Sequence, residues 1–462
     1  MAKSNIAQFT DALLEGEIHH ESAEFKRAAH PDRLADRITM EIGALLLSLD
    51  PHARFDIQAV VHFGPLFVFA HGGKGILSLG HTPIVYLCGQ LATAAKPGQY
   101  LPLINTAAKK AFLGVGYCKP DGIDPAKITV LSSFNSQSED IIGGIRKNGD
   151  SLGAGDATIV HGYASSQTQE YFHASQALAW HISNLLDRSF RSNSIPTLLA
   201  DGKVQVEVAF GGCYNAFPIS PLHAENVVVA VQHRSLSRQG FGLFKDSIAK
   251  LVRSVNGLVL SPEGSRLGLI SRNTEILVDG AGQFTKGGVE ADSGANGRMD
   301  SLYVSGSTRK YGGGLLVGRD VSKTDFACQL IARNIALHLV KGGIASEAAV
   351  TITYAIGQTL PSSVSVSTEG CEYSSAHLLE AINKAFDLSP RGMGSQLNIS
   401  SKDFSAIARD GFFGVAPNGS HQWEKIGREK LRILRQHLKR CPTMLKPSGN
   451  GVPIGKKITQ PS

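Results

Sequence analysis

No apolar run in this chain approaches the length that crosses a bilayer. The longest, such as Ala44-Leu45-Leu46-Leu47, fall far short of the ~20 residues that a spanning helix needs. The amino terminus lacks the basic-then-apolar pattern of a secretory leader, so a cytoplasmic protein is expected. Cysteine is scarce. Cys88, Cys118, Cys213, Cys328, Cys371 and Cys441 stand apart without paired spacing, which argues against a disulfide framework and a zinc site and fits a reducing compartment. Acidic residues are few in the last stretch: from His421 to Ser462 there are ten Lys or Arg against two acids. That tail outweighs the whole net charge of +7, so the body is close to neutral. The tail also lacks interleaved aromatics. It reads as a solvated terminal helix, and no nucleic-acid partner is expected.

What remains is a globular composition. Hydrophobic residues make up 42% and charged residues 18%, which supports a large core. A length of 462 residues suggests two or three domains. Pro31 suits the first position of a helix, and Leu34, Ile38, Ile42 and Leu45 recur behind it at helical spacing. Ile57, Ala59 and Val61 alternate up to Gly64-Pro65, and Leu66, Val68 and Ala70 alternate after it, which predicts a hairpin turning at Gly64-Pro65. A strand pair and helix recur over Val204–Phe210, Val227–Val231 and about 241–254. They recur again over Val350–Ile356, Val364–Thr368 and Ala376–Phe386, behind a helix capped by Ser322 with Asp325 three residues on. The expected fold is α+β, with three related sheet-plus-helix lobes. The expected division is a loosely ordered arm over 1–23, lobes over 24–150, 151–273 and 274–425, and a basic tail over 426–462.

Three separated pieces carry chemistry. His30-Pro31-Asp32 opens a helix, whose unpaired N–H groups and dipole attract anions. Gly153-Ala154-Gly155-Asp156 precedes a strand. Gly312-Gly313-Gly314 leads to Arg319-Asp320 and Lys323-Thr324-Asp325. No Gly-Lys-Ser/Thr follows those glycines, so they form no Walker loop. Each piece has an ordinary explanation as a turn, a cap or a first-turn acid. Together they could hold a polyphosphate and its magnesium.

From about Glu24 to Lys425 the chain resembles the S-adenosylmethionine synthetases (methionine adenosyltransferases), as a divergent member. The resemblance rests on His30-Pro31-Asp32-Arg33-Leu34-Ala35-Asp36, Asp50-Pro51-His52-Ala53-Arg54, Gln137-Ser138-Glu139-Asp140-Ile141 and Gly153-Ala154-Gly155-Asp156 with Gly162-Tyr163-Ala164. Further on it rests on Gln232-His233, Gly282-Gln283-Phe284, Gly312-Gly313-Gly314, Asp320-Val321-Ser322-Lys323-Thr324-Asp325, Tyr354-Ala355-Ile356-Gly357 and Trp423-Glu424-Lys425. In that family the methionine sulfur attacks C5′ of ATP, and the displaced triphosphate is cleaved to phosphate and pyrophosphate. A thioether has no proton to lose, so no general base is needed, and the work lies in stabilising the leaving chain. The resemblance implies His30, Lys203, Arg298 and Arg319 as the catalytic groups on that chain. It implies Glu24, Asp156, Asp201, Phe284 and Ile356 at ATP, and Gln137, Asp292 and Lys323 at methionine. Asp32 and Asp325 would bind two magnesium ions. It implies a pseudo-threefold arrangement and a homodimer or tetramer, with sheets pairing between subunits and sites built at the interface.

Gln58 stands where the family has the glutamate of a potassium site, and Arg319 where it has lysine. Met299 stands where it has a second cation, so a phosphate contact is expected to be missing and Met299→Lys to raise turnover. These departures leave two alternatives: the same scaffold with another nucleophile or mainly triphosphatase activity, and a silent nucleotide-binding partner subunit.

Overall fold

The structure, a computed structural model, describes residues 18–69, 76–118, 123–136, 153–211, 220–306, 312, 314–414 and 421–441. In chain order the first part comprises β1 (His19–Lys26), α1 (Pro31–Leu49), β2 (Arg54–Phe69), β3 (Ile76–Ala92), α2 (Pro97–Val115) and β4 (Thr129–Asn135). The second comprises β5 (Thr158–Ser165), α3 (Ala174–Arg191), β6 (Leu198–Gly211), β7 (Ser220–His233), α4 (Arg238–Arg253) and β8 (Glu275–Val278). The third begins with β9 (Gly294–Ala295), α5 (Asp300–Val304), α6 (Thr324–Lys341), β10 (Glu347–Tyr354), β11 (Ser363–Glu369) and α7 (Ser375–Ala385). It ends with α8 (Pro390–Leu397), α9 (Ser401–Asp410) and α10 (Arg428–Leu438).

A unit of strand, helix, strand pair and helix thus repeats three times. The first two units close with a strand parallel to the second member of the pair, β4 on β3 and β8 on β7. The sheets run β4-β3-β2-β9, β1-β6-β7-β8 and β11-β10-β5. Each unit gives its leading strand to a neighbour: β1 lies on β6, β5 on β10 and β9 on β2. The exchange closes a ring, which is the pseudo-threefold arrangement in physical terms. The helices α1, α3 and α6 pack on β2 and β9, on β1 and β6, and on β5 and β10 respectively. Every residue of α6 from Thr324 to Val340 is buried, so it fills the centre of the molecule rather than presenting one apolar stripe.

Two local expectations are overturned. Gly64-Pro65 is no turn: β2 runs straight through to Phe69, and its register against β3 shifts between Gly64 and Leu66. Proline has no N–H for the ladder, and the bulge removes it from the pairing while the strand continues. The connection to β3 falls at 70–75, outside the described residues. Ser322 does not cap α6; Lys323 holds that position and no side chain caps the helix. Asp320 holds Ser322 instead, accepting its N–H at 2.8 Å, while Asp325 turns towards Arg319.

The basic tail begins with a helix, but one that docks on the body rather than standing in solvent. In α10, Leu434 and Leu438 are buried against α7, and Lys430 lies over the Phe386 ring.

Candidate active site

The first cluster grows from the amino end of α1. His30 is the cap, and its Nδ1 accepts the Asp32 N–H at 3.2 Å. With Nδ1 accepting, a neutral ring carries its proton on Nε2, where it can be donated outward. Burial holds the imidazole below its ordinary pKa, and Lys26 pushes the same way against Asp201, Asp32 and Asp292. His30 is therefore a neutral donor at pH 7. Asp32 is buried, with Oδ2 receiving Lys26 Nζ at 2.6 Å and Oδ1 receiving Ala295 N at 3.0 Å. Burial alone would raise its pKa, but the Lys26 ammonium and the Ala295 N–H outweigh it and keep the carboxyl ionised. Close approach of β9 makes this possible. A Cβ on Gly294 would stand 2.1 Å from the Pro31 carbonyl carbon.

Lys203 reaches the same place from the next strand. It sits directly opposite Lys26 in the β1–β6 register, and its Nζ lies 2.8 Å from Glu24 Oε2. Two like charges facing each other across strands repel. Asp32 and Glu24 hold one lysine each, and an arriving anion would be drawn to both. Arg298, its side chain 59% exposed, lies 3.4 Å from Asp32 and leaves most of its fork free. Asp201 is a buried anchor: its oxygens accept from Gly202 N and Gly288 N, both at 2.7 Å, and tie the 287–288 turn to β6. Asp292 is exposed, holds its neighbour Ser293 N at 2.7 Å, and lies within electrostatic reach of His30. Phe284 is half-buried on a segment whose backbone is bonded to His233.

The second cluster lies where β2, β5 and α6 meet. Arg319 forms a bridge with Asp56 on the edge of β2, with Nε 3.2 Å from Asp56 Oδ2, and pairs through Nη1 with Asp325. Asp325 Oδ2 also receives Leu315 N at 3.2 Å, and Lys323 Nζ reaches Gln90 at 3.3 Å. Asp156 and Ile356 flank the Thr158–Tyr354 pair that ends β5 and β10. Their loops are clamped together by Ala154 N–Gln358 O and Gly357 N–Ala154 O bonds. Asp156 is exposed and Ile356 is 53% exposed. Gln137 lies outside the described residues.

Within one chain the two clusters are apart. Val61 of β2 pairs with Gly294 beside Asp32, and Asp56 pairs with Arg319. The intervening stretch of β2 is about 17 Å at about 3.4 Å per residue. His30, Lys203 and Arg298 are therefore brought together, while Arg319 and Asp325 are not among them.

Sequence reasoning missed several groups. Lys26 was findable, because it follows Glu24 at strand spacing and so shares its face. Asp56 had no local signal. Nor had the buried pair Asp36 and Asp300, which brace the loop carrying Arg298. Asp36 accepts from Gly297 N and Tyr303 Oη, and Asp300 accepts from Leu316 N. Met299 is fully buried in the core, so the side chain that follows Arg298 packs among apolar neighbours rather than beside the exposed arginine. Gln58 gives its amide N–H to Asp56 at 3.1 Å, so it offers only a neutral carbonyl to a monovalent cation.

Among the described residues no three His, Cys, Asp or Glu side chains converge on a metal position. The donor set nevertheless suits magnesium shared with a phosphate chain. Each cluster supplies one of the two expected carboxylates, Asp32 and Asp325, and among the described residues the buried Asp325 Oδ1 has no hydrogen-bond partner. Magnesium commonly takes one or two carboxylates and completes its shell with water and substrate phosphates.

Fold and clusters define an α+β protein of three strand-exchanged units, with cations gathered where strands and helices end. The comparisons name the family. The model of the S-adenosylmethionine synthetase central domain matches residues 151–284, and that of the C-terminal domain matches 286–425. S-adenosylmethionine synthase 1 of Rhodospirillum rubrum is 30% identical over 409 residues, 88% of this chain and 96% of the relative. The synthase of Lacticaseibacillus casei is 30% identical over 412 residues, 86% and 94% of the two chains. That of Paramagnetospirillum magneticum is 29% identical over 429 residues, 92% and 97%. This chain belongs to the S-adenosylmethionine synthetase family.

Proposed function

We propose that this protein is a cytoplasmic methionine adenosyltransferase. The sulfur of methionine attacks C5′ of ATP, a C–S bond forms as the C5′–O bond breaks, and the electron pair leaves on the triphosphate. Water then cleaves the triphosphate to phosphate and pyrophosphate. The observation that carries this reading is the facing pair Lys26 and Lys203, with Lys26 within electrostatic reach of His30, whose Nδ1 accepts from Asp32 N and so leaves the ring proton to Nε2. These donors are fixed in place before charge develops on the leaving oxygen, which is where such groups lower a barrier. Arg298 swings onto the phosphate chain from its exposed position. Glu24 positions the nucleoside edge, Asp201 acts on it only through the 287–288 turn that it holds, Phe284 covers the base, and Asp292 lies on the methionine side.

Arg319, Lys323, Asp325, Asp156 and Ile356 complete the site from a second copy of the chain, because within one chain they lie too far from His30. An exposed apolar face supports such pairing: Val60 and Tyr86, opposite each other on β2 and β3, are 43% and 42% exposed, and Ile159 on β5 is 49% exposed. A homodimer is the smallest assembly that fits, and a tetramer would pair two of them. Asp32 and Asp325 would hold magnesium, which when bound neutralises charge on the phosphates. Potassium would find only the Gln58 carbonyl.

The test is a mass-spectrometric assay with ATP, methionine and magnesium. Wild type should form S-adenosylmethionine, phosphate and pyrophosphate. Lys203→Met should lower kcat by about 10²–10³, the usual loss for one such donor. Phosphate release without a sulfonium product would favour a triphosphatase instead. Nucleotide binding without turnover would favour a silent subunit.

A further inference from the structure

A cavity of about 460 Å³ opens between α1, the end of α3 and the end of α9, and of its arginines Arg33 adjoins the first cluster. That volume lies within the range of small-ligand sites. Its wall carries Arg33, Arg188, Arg191 and Arg409, with Trp180 and His181 beside them. The acids on the same wall are already engaged. Asp187 holds the buried Arg27 at 2.9 Å and Ala28 N at 3.0 Å. Asp410 holds Arg409 at 2.9 Å, and Glu170 holds His181 at 3.0 Å. Among the described residues Arg33, Arg188 and Arg191 have no ion-pair partner. Arg33 spends one N–H on Lys26 O and lies over the Phe25 ring.

Arg188, Arg191 and Arg409 sit in last turns of their helices, where a cation suits the dipole. That explains each arginine singly, but not their meeting Arg33 around one hollow. The crowding is felt beyond the cavity wall. Burial lowers the pKa of neighbouring Arg37, and Arg191, Arg33 and Arg409 all push it the same way against Glu41.

We propose that this cavity is a second anion site that takes an oligophosphate chain. Guanidinium forks bind phosphate oxygens in pairs, and several converging forks suit a chain of phosphates better than a single charge. The chain could be free inorganic tripolyphosphate or the tail of a nucleoside triphosphate, in which case the base meets Trp180. The inference stands on residues that play no part in the proposed adenosyl transfer.

The test is a calorimetric titration of the full chain with sodium tripolyphosphate in EDTA, repeated with ATP. Two sites per chain are expected. Arg188→Ser/Arg191→Ser should weaken one of them by about tenfold or more, while leaving S-adenosylmethionine synthesis and the melting temperature unchanged. Lys203→Met should weaken the other. Only two tryptophans exist in the chain. Occupancy of the second site should therefore change the fluorescence of wild type but not of Trp180→Phe. Tighter binding of ATP than of tripolyphosphate at this site would identify the nucleotide as occupant, and equal binding the inorganic chain. A single site in wild type, or two undiminished sites in the double variant, would overturn the proposal. Failure of the adenosyl-transfer assay with both sites intact would overturn only the proposed activity.

Discussion

Met299 and Asp36 show how little a residue's type says about its role until its surroundings are known. Met299 follows Arg298 directly, yet Arg298 is exposed and Met299 is wholly inside. Placing an ammonium there buries an unpaired charge. Met299→Lys is expected to cost roughly 3 kcal/mol of stability and to leave kcat no higher; thermal denaturation beside the turnover assay checks both. Asp36 is pushed up to about 7 by burial, with Asp32 adding to the effect against Gly297, Tyr303 and Arg33. An unfolded aspartate titrates near 3.8. Between those values the folded chain keeps a proton that the unfolded chain has lost, so this contribution to stability falls as pH rises. Relative to wild type, Asp36→Asn should gain melting temperature as pH rises between these limits, measured by calorimetry across the range. His338 has the opposite sign. Burial draws it down from 6.5 to about 4, so its contribution is lost as pH falls through that window. The two windows overlap and the slopes oppose, so the His338 contribution offsets that of Asp36 in wild type and stands alone in Asp36→Asn.

At the scale of elements, close backbone approach decides what pairs with what. β5 lies so near α6 that a Cβ on Gly162 would stand 2.0 Å from the Ala332 carbonyl carbon. Its neighbours there are backbone atoms of a helix buried on all sides, which cannot yield as a flexible side chain does. Gly162→Ala is therefore expected to cost about 3 kcal/mol, read as an earlier urea midpoint. Some helix positions were legible, because periodicity and Pro31 mark α1, and the apolar spacing marks α4, α6 and α7, whereas α2, α3, α8 and α9 were not anticipated. The bulge in β2 was not. Gly-Pro is the commonest punctuation of a turn, and only the partner strand reveals that pairing resumes beyond it. The cap of α6 was misread for the same reason: Asp325 prefers Arg319, which local sequence spacing does not bring to mind.

For the whole molecule, the separation of the two clusters makes a quantitative prediction. Chains carrying Lys203→Met lack the first cluster, and chains carrying Arg319→Ala lack the second. Each should be inactive alone. If each site draws on two copies, random mixing after denaturation and refolding gives half mixed dimers with one intact site in two. Activity should return to about one quarter of wild type by symmetry. No recovery would place both clusters of a site in one chain. The exposed apolar faces of β2, β3 and β5 are where the copies would meet, and Tyr86→Glu should shift the sedimentation of the protein towards the monomer.

The threefold recurrence of a strand pair and helix, the start of α1 and the motif residues of the first cluster were legible in the sequence, because hydrophobic period and capping act over a few residues. The exchange of leading strands around the ring, the lysine pair across β1 and β6, and the distance between the two clusters were decided only by the folded molecule. They depend on hydrogen-bond ladders between segments far apart in the chain, and no local pattern encodes which strand a given edge will accept.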